Sequence, residues 1–203
     1  IAAIGGMNIN YISLGAGDGK TQRDSMYLFH SKTLAKAFVE EFIAIWNASS
    51  VDKMDRSEFP TYDENAQQYD AYLFNRGTGS NASIAGMYGS LIDSAEHSIL
   101  LLPYLPILDD EMTESVRRAS DKGVDVDIVM PIDLRGYAKG GLYYYIPRLM
   151  EDTGANLYVS VEDENGELLP LLHEKMMIVD DRYVVIGSSN FNFRSMSLSY
   201  ELA

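Results

Sequence analysis

The 203-residue sequence contains no cysteine, which removes disulfides, thiolate metal sites and cysteine nucleophiles from consideration. Basic residues are in deficit, with 16 Lys and Arg against 30 Asp and Glu and a net charge of −14. Proteins that grip phosphate backbones usually carry a basic stripe, because counterion release supplies most of that affinity. No such stripe is visible, so no nucleic-acid partner is expected. The same balance offers no general attraction to anionic lipid surfaces. Long apolar runs are missing too: Ser98 to Leu108 is cut by Pro103 and Pro106 and is too short to span a bilayer. The chain opens Ile1-Ala2-Ala3-Ile4-Gly5-Gly6, with neither an initiator methionine nor a charged leader. It therefore reads as the interior of a longer chain.

What is present is ordinary globular material, 46% hydrophobic and 23% charged, so wholesale disorder is not expected. A short apolar strand is predicted within residues 1 to 9, a Gly-rich loop over 15–19 and a strand at Ser25 to Phe29. Leu34, Ala35, Phe38, Phe42, Ile45 and Trp46 recur at helical spacing, which predicts an amphipathic helix from Lys32 to Trp46. Residues 48–80 are polar and punctuated by Pro60, Asp, Asn and Gly, as in a linker or crossover loop. Beyond them helices and strands alternate. Helices are predicted at Ala82 to Ala95, Asp109 to Asp121 and Tyr137 to Asp152, the last two stopped by Gly123 and Gly154. Strands are predicted at Ser98 to Leu102, Val124 to Met130 and Asn156 to Val161, followed by apolar segments at Met176 to Val179, Tyr183 to Ile186 and Leu198 to Leu202. This order reads as an α/β layered sandwich, a mixed and mostly parallel sheet flanked by helices.

Ile4-Gly5-Gly6-Met7-Asn8 near the start echoes Ile186-Gly187-Ser188-Ser189-Asn190 near the end. Superposing the two sets the counterpart of His173 roughly ten residues before Ile1, a weak repeat by itself. His173 and Lys175 lie two apart, so on an extended strand they project to one face, with Met177 and Val179 continuing that side into the core. A Gly-Ser-Ser-Asn turn would return a hydroxyl and a carboxamide to the same strand end. Imidazole, ammonium, hydroxyl and amide converging on one spot suit a tetrahedral phosphate: the cation offsets charge, neutral donors hold oxygens, and His attacks phosphorus or moves a proton. An isolated His-x-Lys is usually incidental, and His30-Ser31-Lys32, with Ala37 where an Asp should stand, is such a decoy beside a helix start. His97, before a buried strand, reads as structural.

The stretch His173-Glu174-Lys175-x4-Asp180, then Gly187-Ser188-x-Asn190, Arg194-Ser195 and Glu201, resembles the second HKD motif of the phospholipase D superfamily. Gly5-Gly6-Met7-Asn8 is similar to the tail of a first motif. Arg23-Asp24, Pro103-Tyr104-x-Pro106 and Gly123-Val124-Asp125-Val126 resemble segments of bacterial cardiolipin synthases. The departures are Ser199 in place of the usual Asn and a Ser189–Phe193 stretch without the common Asp or Pro. The first His-x-Lys-x4-Asp does not occur in this chain.

The resemblance implies a remnant of a first half at 1–47, a linker at 48–80 and a second half at 81–203. It implies His173 and Lys175 on the substrate phosphate, with Ser188, Asn190 and Asn8 completing the cradle. Glu201 would accept a hydrogen bond from the far ring nitrogen of His173. Asp180 and Asp24 would be supporting residues, and no cofactor or metal is expected. Two such histidines meet across a pseudo-twofold axis, one forming a phosphohistidine and the other acting as acid and base; His173 would be the acid/base. The expected activity is that of a phosphatidyltransferase or phosphodiesterase on phospholipids, with one half of the site absent and little turnover by this chain alone. Expected partners are a phospholipid substrate, membrane contact in the full-length protein and a homodimer; the expected location is the bacterial cell envelope or membrane. The alternatives are a phospholipase D-type nuclease, which would need a basic cleft, a non-catalytic half, and an interaction module using Tyr143-Tyr144-Tyr145. On a helix those tyrosines would sooner pack than bind.

Overall fold

A computed structural model describes residues 1–10, 13–14, 22–60, 75–76, 83–105, 107–131, 137–160, 165, 167 and 171–203. The 15–19 loop, Ala82, Pro106, Val161 and most of 61–80 lie outside the described residues. The chain opens with β1 (Ala2–Gly5), β2 (Gln22–Arg23), β3 (Met26–Phe29) and α1 (Lys32–Ser49), whose N-cap Ser31 accepts the Leu34 N–H. A hydroxyl acceptor there satisfies one of the orphan amides of the first turn. After β4 (Asn75–Arg76) come α2 (Ser83–Ser94), β5 (Ser98–Pro103), α3 (Asp110–Asp121), β6 (Asp125–Pro131), α4 (Tyr137–Thr153) and β7 (Asn156–Ser160). The chain closes with β8 (Leu171–Leu172), β9 (Lys175–Val179), β10 (Tyr183–Ile186), α5 (Phe193–Ser197) and β11 (Glu201–Leu202).

Five strands form the main sheet in the order β10-β9-β5-β6-β7. The β5–β6 and β6–β7 ladders are parallel, whereas β9 runs antiparallel to both β5 and β10. The sheet is therefore mixed, as expected, but its ladders divide evenly rather than being mostly parallel. The physical reason is the short Asp180–Arg182 turn, which joins β9 and β10 as a hairpin, a link open only to antiparallel neighbours.

Alternation along the strands decides where the core lies. Ile99, Leu101, Val126, Ile128, Met130, Met177 and Val179 are buried, while Leu100, Leu102, Val129, Met176 and Ile178 between them are half-buried. The buried set belongs to one core cluster with Ile84, Tyr88 and Ile92 of α2 and Met112, Val116 and Ala119 of α3. Each fully covered aliphatic side chain contributes about 1.5–3 kcal/mol of transfer free energy. In α3 the cap Asp109 accepts the Glu111 N–H, and Asp110 and Glu111 lie in the positive first turn.

Three features differ from or refine the sequence expectations. Residues 48–60 are not a bare linker: Asn47 and Met54 exchange two hydrogen bonds, and a 3₁₀ turn at Arg56–Glu58 carries a capping box with Asp55. Leu198 to Leu202, read from the sequence only as an apolar segment, is strand at Glu201–Leu202 alone and begins with the C-cap of the short helix α5, whose N-cap is Asn192. Tyr143, Tyr144 and Tyr145 do not pack inward; they are 79%, 58% and 37% exposed, since Leu149 and Thr153 take the buried side of α4. Among the described residues, no helix is long and apolar enough to cross a membrane.

Candidate active site

β9 carries Lys175, Met177 and Val179 on its buried side, so the lysine begins the row that continues into the core. β5 lies alongside with Pro103 opposite Lys175. Just upstream, β8 pairs with β2 in parallel, and the His173 N–H donates to the Arg23 carbonyl at 2.8 Å. That pairing delivers the next residue of the early segment, Asp24, to the imidazole. Asp24 Oδ2 lies 2.6 Å from His173 Nδ1, with the aspartate side chain 0% and the histidine side chain 8% exposed. An ionised carboxylate only accepts, so Nδ1 carries the proton and donates it to Asp24. That leaves Nε2 as the ring nitrogen able to give or take a proton.

Lys175 Nζ lies 2.8 Å from His173 Nδ1 and 3.3 Å from Nε2, and donates to the His173 carbonyl at 2.5 Å. Burial pushes the ammonium down from 10.5 to about 8, against the opposing charges of Asp24, Glu174 and Glu201. The lysine is thus held near a protonation threshold, and an anion arriving beside it would favour the charged form. Glu174, between the two, is itself buried and takes a short hydrogen bond from the Ser25 hydroxyl. On that side of the strand a pocket of about 320 Å³ is lined by Arg23, Leu102, Val129, Leu172, Glu174 and Met176.

A second polar cluster gathers around Glu201. Ser188 Oγ donates to Glu201 Oε2 at 2.5 Å, Ser195 Oγ donates to Oε1 at 2.8 Å, and the Asn190 N–H donates to Ser195 Oγ at 3.2 Å. Glu201 was expected on His173 and is not there. β11 sets Glu201 against the Gly187-Ser188 turn, where two hydroxyls engage it, while the residue after β2, Asp24, reaches the histidine instead. Ser188 is accordingly committed to Glu201. Asn190 Oδ1 is buried with no hydrogen-bond partner among the described residues, and Asn8 is exposed in the turn after β1.

The weak sequence echo is a repeat in three dimensions. A Cβ added to Gly5 would meet the Ser25 carbonyl oxygen at 2.1 Å, and one added to Gly187 would meet the Leu202 oxygen at 2.1 Å. Only glycine permits so close an approach of two backbones. In each copy the residue before the contacted carbonyl is an acid, Asp24 or Glu201. A Cβ on Gly6, the counterpart of Ser188, would lie 2.8 Å from Asp24 Oδ1 and 2.9 Å from Lys175 Cδ. Extending the echo by one acid ahead of the following strand would have revealed Asp24 as the counterpart of Glu201. The longer intervening loop in the first copy hid it.

Asp180 stands at the far end of β9, where its carboxylate accepts the N–H groups of Glu96, His97 and Ser98 at 2.8–2.9 Å. These backbone donors, Ser98 first, hold it below the usual carboxylate range. Its contacts are those of an anchor for the turn that starts β5. His97 meets it through the backbone, and His30 directly precedes the α1 cap.

The family model for the "Cardiolipin synthase, PLD-like domain" matches residues 88–203. The chain belongs to this family. Cardiolipin synthase from Listeria welshimeri is 29% identical over the whole chain, and cardiolipin synthase 1 from Staphylococcus epidermidis is 27% identical. The chain spans 41% and 40% of the lengths of these two relatives. The crystal structure of phosphatidylserine synthase from Haemophilus influenzae superposes with a TM-score of 0.68 at 15% identity, covering 98% of this chain and 54% of that one. That likeness establishes the same layered α/β fold. In this PLD-like domain the family match begins in α2 and takes in the motif strand β9, the Gly187–Asn190 turn and Glu201, whereas Asp24 lies outside it.

Proposed function

We propose that the chain supplies half of a phosphodiester-handling site to a phosphatidyltransferase or phospholipase that acts on phospholipids through a phosphohistidine intermediate. The observation that carries this reading is the buried Asp24–His173–Lys175 cluster, in which a carboxylate holds Nδ1 of the imidazole and an ammonium lies against the same ring, 2.8 Å from Nδ1 and 3.3 Å from Nε2. An ammonium beside the imidazole marks where a phosphate oxygen would lie, so the leaving or entering oxygen of the substrate would sit in front of Nε2. His173 then serves as acid and base: entering as an imidazolium, it gives its Nε2 proton to the leaving alkoxide as the second histidine attacks phosphorus and the P–O bond breaks, and it takes the proton of the incoming alcohol or water back onto Nε2 as that oxygen attacks the phosphohistidine. The nucleophile would be a second histidine of the same kind.

Asn190, whose buried Oδ1 lacks a partner among the described residues, and Asn8 would complete the cradle, with Ser188 and Glu201 bracing its other side. Residues 1–47 would close a first half, 48–80 link it, and 81–203 form the second. Contact with a membrane and pairing of two copies are part of the same proposal. The experiment is turnover of phosphatidylglycerol and of bis(p-nitrophenyl) phosphate by the purified chain across a range of protein concentrations. One motif histidine per chain predicts little turnover when dilute and a steeper than linear rise on concentration. Full turnover by a dilute monomer would sink the half-site reading, and salt-sensitive cleavage of DNA would favour a nuclease.

A further inference from the structure

Tyr104 belongs to the cluster although the His-x-Lys pattern does not include it. It follows Pro103, which β5 sets opposite Lys175, and its half-buried ring emerges beside the side chains of β9. The ring centroid lies 4.3 Å from that of His173 at an interplanar angle of 57°, and Lys175 Nζ lies 5.4 Å from the same centroid. Tilted aromatic pairs are favourable, and the negative face of a tyrosine attracts an ammonium within about 6 Å. One ring therefore touches both groups on which the chemistry depends.

Asp24 grips His173 at a single atom, Nδ1. That bond sets the tautomer but leaves the imidazole free to rock about it; a flat neighbour against the ring face removes that freedom. Lys175 feels the charges of Asp24, Glu174 and Glu201, of which Glu174 is engaged by Ser25 and Glu201 by Ser188 and Ser195. We propose that Tyr104 is a positioning residue: its ring fixes the plane of His173 and holds the Lys175 ammonium against it, so that Nε2 and Nζ face the phosphate together. The proposal rests on the phosphodiester reading of the site.

Three substitutions test it: Tyr104→Phe, Tyr104→Leu, and pentafluorophenylalanine at position 104, which keeps the ring shape and inverts its quadrupole. The readouts are the Lys175 titration followed at its Cε by NMR, the ¹⁵N shifts of the His173 ring, and orthophosphate binding. The phenylalanine variant should match the wild type in all three. The leucine and pentafluoro variants should move the Lys175 midpoint below its value of about 8, by roughly half a pH unit. The leucine variant should also move the His173 ring shifts and broaden them as the ring rocks, with the tautomer still set by Asp24. A folded leucine variant with unchanged Lys175 midpoint and His173 shifts overturns the proposal. Should leucine prevent folding, an unchanged midpoint in the pentafluoro variant overturns it instead. Failure of the wild type to bind orthophosphate removes the phosphodiester reading, while the two titrations still decide whether Tyr104 holds the pair.

Discussion

Asp24 Oδ2 and His173 Nδ1 meet at 2.6 Å, and this contact separates the roles of two acids that resemble each other in sequence context. Asp24→Asn should release the imidazole from a single tautomer, visible in the ring ¹⁵N shifts, whereas Glu201→Gln should leave those shifts alone and loosen Ser188 and Ser195. Lys175 makes a second case. Its fall from 10.5 to about 8 means that below pH 8 the fold carries a buried ammonium, a cost on the order of 3 kcal/mol. Because the unfolded lysine keeps its proton up to the higher value, the wild type should gain stability as pH rises from 8 towards 10.5. Lys175→Met should be more stable than wild type at pH 7, show no such rise, and lose phosphate binding; urea unfolding at several pH values checks this. Tyr88 is fully buried in T-shaped contact with Phe191 and its hydroxyl has no hydrogen-bond partner among the described residues. Tyr88→Phe should accordingly be neutral or stabilising by about 1 kcal/mol in the same measurement.

Among the elements, α3, β6 and β9 were legible because each repeats its apolar residues with a clear period over a full turn or several pleats. β2, β4, β8 and β11 are two residues each, too short to show any period, and exist because a partner strand offers a free edge. Those short strands place Asp24 and Glu201, so the motif residues could be read from the sequence while the carboxylate on His173 could not. Tyr143 to Tyr145 failed for the opposite reason: a run of three aromatics covers nearly a full turn of helix, and no periodic rule says which of them turns inward. Asp180, expected as a supporting residue, has contacts that bear on stability. Its carboxyl is held below the usual value of 3.8 by backbone donors, so its contribution is intact at neutral pH and fades as pH falls through the folded value. Asp180→Asn should lower the melting temperature at pH 7, and that deficit should shrink as pH falls below 3.8.

For the whole molecule, the surface charge decides how it meets its surroundings. A chain at −14 is repelled by phosphatidylglycerol vesicles, and salt screens that repulsion. Co-sedimentation with such vesicles should therefore increase with ionic strength, the reverse of a protein attracted by basic patches. A decrease with salt would reveal a concentrated basic face that the net balance conceals.

Asp24 and His173 are 149 residues apart along the chain. Bringing such distant segments together requires closing a long loop before any contact rewards it. The helices and the parallel β5–β6–β7 core can form from neighbouring stretches, but the orientation of His173 waits for a closure across 149 residues. In a refolding experiment, recovery of the His173–Asp24 hydrogen bond should lag behind recovery of secondary structure.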